Sequence, residues 1–388
     1  MHGLLFLTCI FSESFAAIAS FAFDVDHGFL LRICCVLTFV YSIYMGVLTR
    51  NDIVSNRTQN VFWISFALAA SIMLSMFVMD LFHDNQHPEY RGMVLSFGSK
   101  ALVAPFLALA WNKRNYLNEI VKWIIPFTLI FTFIMLDAIK QLGFNPYMQL
   151  GIGYQTLSYA AAFSIGLLFY YLNQVKNKLM RGVSFILICL NVFILLSGGG
   201  KGAFVLVCVL FVLNFYSLLK KKGVILFIGI GLLLSVANRY VVNLLSQLSG
   251  GERILALFLS NDVGEISSGR EELYRRSIDL IYERIFLGGG PGSVLYDVGI
   301  YAHNIFLDIM IDWGFVGLFF SVGIFCVIIK KFFSIKNEPN IFFLFVIFLM
   351  HFVQLMFSGT FYASFGIWFS SIAILGFDKG CPRARNLL

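Results

Sequence analysis

Residues 303–331, HNIFLDIMIDWGFVGLFFSVGIFCVIIKK, decide the fold class of this chain. The run holds about 20 consecutive, mainly apolar residues, enough for a helix to cross the hydrocarbon core of a bilayer. It ends at Lys330 and Lys331, and similar runs recur along the chain, which is 59% hydrophobic and 13% charged. Soluble domains have about half apolar and a quarter charged residues. The sequence therefore predicts an all-α, polytopic integral membrane protein.

Hydropathy predicts about twelve transmembrane helices. They lie near residues 3–22, 29–48, 61–79, 92–111, 122–137, 154–173, 182–197, 202–219, 223–237, 303–329, 340–357 and 362–377. The stretch between the ninth and tenth spans forms one large loop that contains helices. We therefore divide the chain into nine spans over 1–237, the loop over 238–302, and three spans with a tail over 303–388.

The positive charges predict the orientation of these spans. Seventeen Lys and Arg fall in six segments that face one side, whereas the short loops on the other side hold only Arg91, Lys140 and Lys201. Because cytoplasmic loops carry the excess of Lys and Arg, both termini are predicted to be cytoplasmic and the large loop extracytoplasmic. No basic stripe with interleaved aromatic residues is present, so no nucleic-acid partner is expected.

The large loop carries six Arg and no Lys. Guanidinium groups bind phosphate oxygens bidentately, which an ammonium group does not. The run Ser268-Gly269-Arg270-Glu271 fits a helix-capping box. Apolar residues then follow at helical spacing as far as Ile285, and Gly288-Gly289-Gly290-Pro291-Gly292 ends the helix. Arg270 therefore stands near a helix N-terminus, where an anion is favoured.

The neighbouring Arg275 and Arg276 have two interpretations. Glu271 precedes Arg275 by four residues and Glu272 precedes Arg276 by four, which is the spacing of stabilising ion pairs on a helix. The two guanidinium groups are either paired in this way or available to a phosphate. Arg270 has no carboxylate at that spacing, which favours a functional role for it.

His303 and Asn304 end the loop at the start of the tenth span. A neutral imidazole titrates near neutrality and accepts a proton from a hydroxyl group, although an interfacial His that only forms hydrogen bonds is common. The turn Ser197-Gly198-Gly199-Gly200-Lys201-Gly202 offers backbone N–H groups and one ammonium. It is either a phosphate-binding turn or a hairpin with a snorkelling Lys.

Two cations within predicted spans are further candidates. Arg32 and Lys100 cost about 3 kcal/mol or more each inside a bilayer, so each is expected to face protein or a cavity. They either line a pocket continuous with the loop or pair with Glu13 or Asp308. His83 and His87 lie among acidic residues in a polar loop, a pattern typical of solvation, and no metal site is predicted.

Taken together, these features resemble the bacterial O-antigen polymerase and ligase superfamily (Wzy and WaaL). Its members have about twelve spans and a large, late periplasmic loop that ends in a His-Asn motif. The topology matches over the whole chain, and motifs match over about residues 195–320. The matching residues are Ser-Gly-Arg at 268–270, the glycine run at 288–292, His303-Asn304-Ile305-Phe306-Leu307, Asp312, Gly314 and Gly317-Leu318.

The resemblance, most of all to the Wzy polymerases, implies an enzyme of the inner membrane in lipopolysaccharide biosynthesis. It would be a metal-independent, inverting glycosyltransferase that joins oligosaccharide repeat units linked to undecaprenyl diphosphate at the periplasmic face, with no cofactor. The implied partners are a lipid-linked donor, a lipid-linked acceptor, membrane lipid and a chain-length regulator.

The resemblance also suggests roles for individual residues. Arg270 would engage the diphosphate, and His303 would be the base. Lys201 stands where an Arg is usual in the family, and Arg253 with Gly264 matches a polymerase motif of Arg, ten residues and Gly.

Two alternatives remain at this stage. The first is an O-antigen ligase, which transfers finished polymer to lipid A-core. The second is a flippase or transporter of lipid-linked glycans. Transporters commonly show two similar halves, which this sequence lacks.

Overall fold

The computed structural model describes residues 2–378 apart from 51, 53, 83–87, 115, 143–153, 215–241, 244–245, 249, 261–269 and 336–337. The predicted span 223–237 lies outside the described residues, as do Ser268, Gly264 and the basic tail. The described residues are predominantly helical, and no β-strand occurs among them.

The helices of the first half are α1 (His2–Ile10), α2 (Ser12–Phe23), α3 (His27–Leu48), α4 (Asn56–Phe82), α5 (Pro88–Lys100), α6 (Ala104–Lys113), α7 (Leu117–Leu142), α8 (Tyr154–Gln174) and α9 (Lys178–Gly198). The later helices are α10 (Lys201–Asn214), α11 (Gly251–Leu259), α12 (Glu271–Glu283), α13 (Ser293–Val298), α14 (Ile305–Ile335), α15 (Pro339–Leu355) and α16 (Phe365–Gly376).

Among the described residues, six segments are long and apolar enough to cross a membrane, or seven if the bent pair α1–α2 counts as one span. The six are His27–Leu48, Asn56–Leu81, Tyr90–Lys113, Leu117–Lys140, Lys178–Gly198 and Ile305–Ile335. The protein is therefore a helical membrane protein, as predicted. Helices overlie every predicted span except 223–237, and the count of twelve stays a prediction.

Three of the predicted spans are not continuous helices. Between α1 and α2 the chain bends by 98°, where the polar residues Ser12, Glu13 and Ser14 interrupt the apolar run. The predicted span 92–111 consists of α5 and α6, and Pro105 lies in the first turn of α6. The third interruption lies inside α14 at Gly314. Hydropathy averages over a window and does not detect such local breaks.

The chain divides into two compact units. The first unit comprises residues 1–32 and 119–269, and α8 packs in it against α2 and α9. Phe11 and Phe163 bring their ring centroids to 5.1 Å. Asn191 Nδ2 on α9 donates a 2.7 Å hydrogen bond to Thr132 Oγ1 on α7. A buried polar pair of this kind links helices where the surroundings offer little water.

The second unit comprises residues 33–118 and 270–388. Its helix α16 packs against α4, α6, α14 and α15. Phe97 lies edge-on to Tyr362 and Trp368, at centroid distances of 5.7 and 5.8 Å. The buried core includes Tyr90, Phe97 and Tyr362, and α13 and the C-terminal part of α12 add to it.

The break in α14 exchanges hydrogen bonds with the chain that follows α12. Gly314 has φ +61° and ψ −159°, so the helical bonds across it are opened. The N–H groups of Phe315 and Val316 donate instead to the carbonyls of Ile285 and Phe286, at 2.9 and 3.2 Å. The carbonyls of Ile311 and Asp312 accept from the N–H groups of Gly289 and Gly290, both at 2.8 Å. Residues 285–290 therefore lie in the break and satisfy its backbone groups.

This geometry predicts that Gly314→Ala destabilises the protein. A Cβ at Gly314 would overlap the backbone of Phe286, and its positive φ is a conformation that only Gly adopts readily. We expect a loss of at least about 1–3 kcal/mol in the free energy of unfolding, read as a lower melting temperature of the detergent-solubilised protein.

Gly323→Ala on the same helix is the matched control, because nothing lies within 4 Å of a Cβ at that position. Equal melting temperatures for the two variants would contradict the exchange of hydrogen bonds at the break.

Candidate functional site

The structure brings Arg270 and His303, the two predicted catalytic residues, close together in the second unit. Arg270 occupies the position before α12, and its Nη1 donates a 2.6 Å hydrogen bond to the carbonyl of Phe357, just past the end of α15. This bond leaves other donors of the guanidinium fork for an anion. The Arg270 charge is near enough to lower the pKa of His303.

His303 is held in a restrained turn before α14. Its φ is +54°, a conformation that is uncommon for residues other than Gly and that clusters at functional sites. The preceding Ala302 donates its N–H to Asp308 Oδ1 at 2.9 Å. Asn304 Oδ1 accepts from the N–H groups of Phe306 and Leu307, at 3.0 and 3.4 Å. Asn304 thus caps α14, and Asp308 fixes Ala302, the residue before His303.

The imidazole of His303 is suited to accept a proton. Burial, and then the charge of Arg270, lower its pKa from 6.5 to about 4. The side chain is therefore neutral at physiological pH, which a general base must be. Its Nδ1 atom is buried and has no hydrogen-bond partner among the described residues.

Asp312 and Tyr362 form a buried polar network that the sequence analysis missed. Asp312 accepts hydrogen bonds from Tyr362 Oη at 2.7 Å, Gly292 N at 3.0 Å, Ser293 Oγ at 3.0 Å and Val294 N at 3.1 Å. Tyr362 Oη also accepts from Trp313 Nε1 at 3.2 Å. Because this carboxylate accepts four hydrogen bonds, its role is structural. The i,i+4 spacing of Asp308 and Asp312 was the available signal, but it did not identify their partners.

Arg275 and Arg276 both pair with one carboxylate. Glu272 binds Arg275 at 2.6 Å and Arg276 at 3.0 Å, and hydrogen bonds from Arg276 and Arg275 lower the pKa of Glu272. The expected Glu271–Arg275 pair is therefore wrong, because Glu272 serves both cations. All three side chains are more than half exposed. Their proposed role in binding a diphosphate stays a prediction.

Lys201 and Arg253 belong to the first unit. Gly199, with φ +69°, ends α9, and Lys201 begins α10. The backbone of Gly199 lies directly against that of Gly250, which precedes α11. The glycine turn and the start of the helix that carries Arg253 are therefore adjacent. The helices that carry Lys201 and Arg253, two candidate cations far apart in sequence, therefore begin near each other.

Lys100 and Arg32 have different environments. Lys100 ends α5 and is 1% exposed, with its charge close enough to act on His351. Lys100 therefore faces protein, as predicted. Arg32 is exposed on α3, and the expectation that it faces protein or a cavity stays a prediction. It lies within two turns of the start of the helix, where a long side chain can reach the membrane surface.

Among the described residues, no group of three or more His, Cys, Asp or Glu is placed to hold a metal ion. His83 and His87 lie outside the described residues.

Comparisons with known proteins extend this description. Residues 183–322 match the family described as O-Antigen ligase. The match includes Lys201, Arg253, Arg270, Arg275, Arg276, His303 and Asn304. Both the matched family and the curated relative described next support the resemblance of this chain to the O-antigen polymerase and ligase superfamily.

The curated relative is the ComP-specific O-oligosaccharyltransferase of Acinetobacter baylyi. It is 28% identical to this chain over 189 residues, which is 45% of this chain and 33% of the relative. The aligned region thus spans about a third of the relative's length.

The site predicts different outcomes for two substitutions of Asp308. Asp308→Ala leaves the buried Ala302 N–H unpaired, which costs about 1–3 kcal/mol. Asp308→Asn keeps an acceptor at the same place. We expect Asp308→Ala to lower the melting temperature and Asp308→Asn to retain most of the wild-type value. If both variants match the wild type, the turn before His303 does not depend on this carboxylate.

Proposed function

We propose that this protein is an O-antigen polymerase of the Wzy type. It joins oligosaccharide repeat units carried on undecaprenyl diphosphate at the periplasmic face of the inner membrane. In this proposal both termini are cytoplasmic, and residues 238–302 lie on the periplasmic side of the membrane. The excess of Lys and Arg in the six segments assigned to the cytoplasm supports this orientation.

One observation carries the proposal. A half-buried, neutral imidazole with an unpartnered Nδ1 lies within electrostatic range of a guanidinium group that the fold holds by one hydrogen bond. Glycosyl transfer from a lipid diphosphate needs a base for the incoming hydroxyl group and positive charge for the departing diphosphate. Arg270 and His303 supply this pair.

The reaction is a substitution at the anomeric carbon. A sugar hydroxyl of the acceptor forms the new C–O bond, and the bond from the anomeric carbon to the diphosphate oxygen breaks. The hydroxyl proton goes to His303, and undecaprenyl diphosphate leaves with the bonding electrons. Attack opposite the leaving group inverts the configuration. The diphosphate already activates the sugar, so the proposed reaction uses neither a metal nor a cofactor.

Arg270 also links binding to basicity. In the absence of substrate, its positive charge disfavours the protonated form of His303. A bound diphosphate would neutralise that charge and thereby raise the pKa of the imidazole. The base would become stronger when the donor is in place. Arg275 and Arg276 are further candidates for contacts with the diphosphate. Lys201 stays a candidate for such a contact, and Arg253 a candidate site residue, on the sequence alone.

An O-antigen ligase is the second candidate. The description of the matched family favours it. The two functions share the donor chemistry and differ in the acceptor, which is a second lipid-linked repeat unit for the polymerase and lipid A-core for the ligase. The null phenotypes differ: a polymerase null leaves one repeat unit on the core, and a ligase null leaves none.

The proposal predicts the effect of substitutions at Arg270 and His303. Arg270→Ala and His303→Asn should each lower the rate of polymer formation by about 100-fold or more. Asn is chosen at 303 because it tolerates the positive φ but is not a base. Arg270→Lys should retain part of the rate, since it keeps the charge and loses the bidentate geometry. The measurement is the length distribution of glycans that the purified protein makes from lipid-linked repeat units in detergent.

Arg91→Ala provides the control, because Arg91 lies on the same predicted side, is exposed and pairs only with Asp80 among the ion pairs of the described residues. Full polymer from either His303→Asn or Arg270→Ala, at normal protein levels, would refute the assignment of that residue. When lipid A-core is added to the same reaction, products on lipid A-core alone would indicate the ligase.

The pH dependence offers an independent test. An ordinary His with a pKa near 6.5 is protonated at pH 5.5, which would lower the rate about tenfold. With the pKa of His303 at about 4, kcat/KM should stay nearly constant from pH 7.5 to 5.5 and fall only below about pH 5. An inflection near pH 6.5 that His303→Asn abolishes would contradict the lowered pKa.

A further inference from the structure

The chain between α12 and α13 exposes two large apolar side chains. Phe286 and Leu287 are 72% and 74% exposed. They follow a helix with an exposed charged surface that includes Glu272, Arg275 and Arg276. Large apolar side chains exposed together mark a surface that contacts a partner or a membrane.

The helix α14 indicates the depth of this pair. The Phe286 carbonyl accepts the Val316 N–H, so the two residues lie at the same level. Val316 precedes Lys330 by 14 residues, which is about 21 Å along a helix. Lys330 marks one edge of the apolar run, and the hydrocarbon core is about 30 Å thick. Phe286 is therefore level with the apolar interior of the span.

The helix α4 gives the same depth by a separate contact. Tyr90 Oη lies 3.2 Å from the carbonyl of Met76 and 3.0 Å from that of Pro291. Met76 precedes the end of the candidate span at Leu81 by five residues, or about 8 Å of helix. Pro291, which is four residues after Leu287, is thus also level with the interior of a span.

Many backbone polar groups of this stretch bond within the protein, as a segment that enters hydrocarbon requires. Ile285 O, Phe286 O, Gly289 N and Gly290 N bond to α14. Gly288 N donates to the Arg284 carbonyl at 2.9 Å, and Gly292 N donates to Asp312. A loop surrounded by water would need none of this pairing.

The part of α14 that bonds to this segment, and the turn that follows it, also expose apolar side chains. Phe315, Phe319 and Phe320 are 47%, 77% and 65% exposed and belong to a candidate span. Phe286 and Leu287 extend this apolar surface instead of interrupting it. Its continuity with the outer face of a span identifies the partner as the acyl chains of the bilayer.

We propose that residues 285–290 form a re-entrant segment that enters the hydrocarbon of the membrane, with Phe286 and Leu287 in contact with lipid acyl chains. The predicted extracytoplasmic loop then lies partly within the membrane, where it forms hydrogen bonds with the backbone groups opened at the break in α14. This inference does not depend on the proposed function.

Spin-label accessibility in proteoliposomes tests the location. Single Cys residues are placed at 286, 287, 319 and 283 in a full-length chain whose native Cys are replaced, in vesicles of phosphatidylethanolamine and phosphatidylglycerol. Collisions with oxygen report hydrocarbon, and collisions with a polar nickel chelate report water. Labels at Phe286→Cys and Leu287→Cys should resemble Phe319→Cys, with at least about threefold less nickel access than Glu283→Cys.

Nickel access at Phe286→Cys and Leu287→Cys equal to that at Glu283→Cys would overturn the proposal. Protection of both labels from oxygen as well as nickel would also overturn it, because that result indicates a protein partner or a second copy of the chain. If the Cys variants do not fold, Phe286→Trp in the native-Cys protein replaces them. Brominated acyl chains should quench the added fluorescence, and unchanged emission would refute lipid contact.

Discussion

The second unit depends on how the backbone groups opened at Gly314 are satisfied. A break in an apolar helix leaves N–H and C=O groups that cannot bond to lipid, and each unsatisfied group costs several kcal/mol. Here residues 285–290 supply the partners, because the N–H groups of 315 and 316 and the carbonyls of 311 and 312 all bond to that segment. Gly is required at 288 and 314 because the two backbones approach too closely for a Cβ.

This exchange has consequences for the candidate site. The same region of α14 carries Asp312, which holds Gly292, Ser293 and Val294 and also binds Tyr362. One turn earlier, Asp308 accepts a hydrogen bond from Ala302, which is the residue before His303. Both ends of the chain from 285 to 304 are therefore attached to the first turns of α14. A catalytic group needs such support, since small displacements strongly reduce catalysis.

Electrostatics explains why Arg270 and His303 are useful together. A buried imidazole beside a guanidinium group is kept neutral, and an anion that binds the guanidinium removes the repulsion. Arg275 and Arg276 share Glu272 on an exposed helix face, where such pairs are weak and exchange readily with solvent or a ligand. The contrast between a restrained Arg270 and its solvated neighbours matches the distinction that the i,i+4 spacing suggested.

The helical membrane class, the helices over the described spans, and Arg270 and His303 as candidates could be predicted from the chain alone. Apolar run length, helical spacing and residue chemistry are local properties, so they can be read along the chain. The folded structure was needed to show that Arg270 comes near enough to His303 to lower its pKa, that Tyr362 binds Asp312, and that residues 285–290 bond across the break at Gly314. Each of these depends on groups far apart in sequence, or on a backbone conformation that hydropathy does not encode.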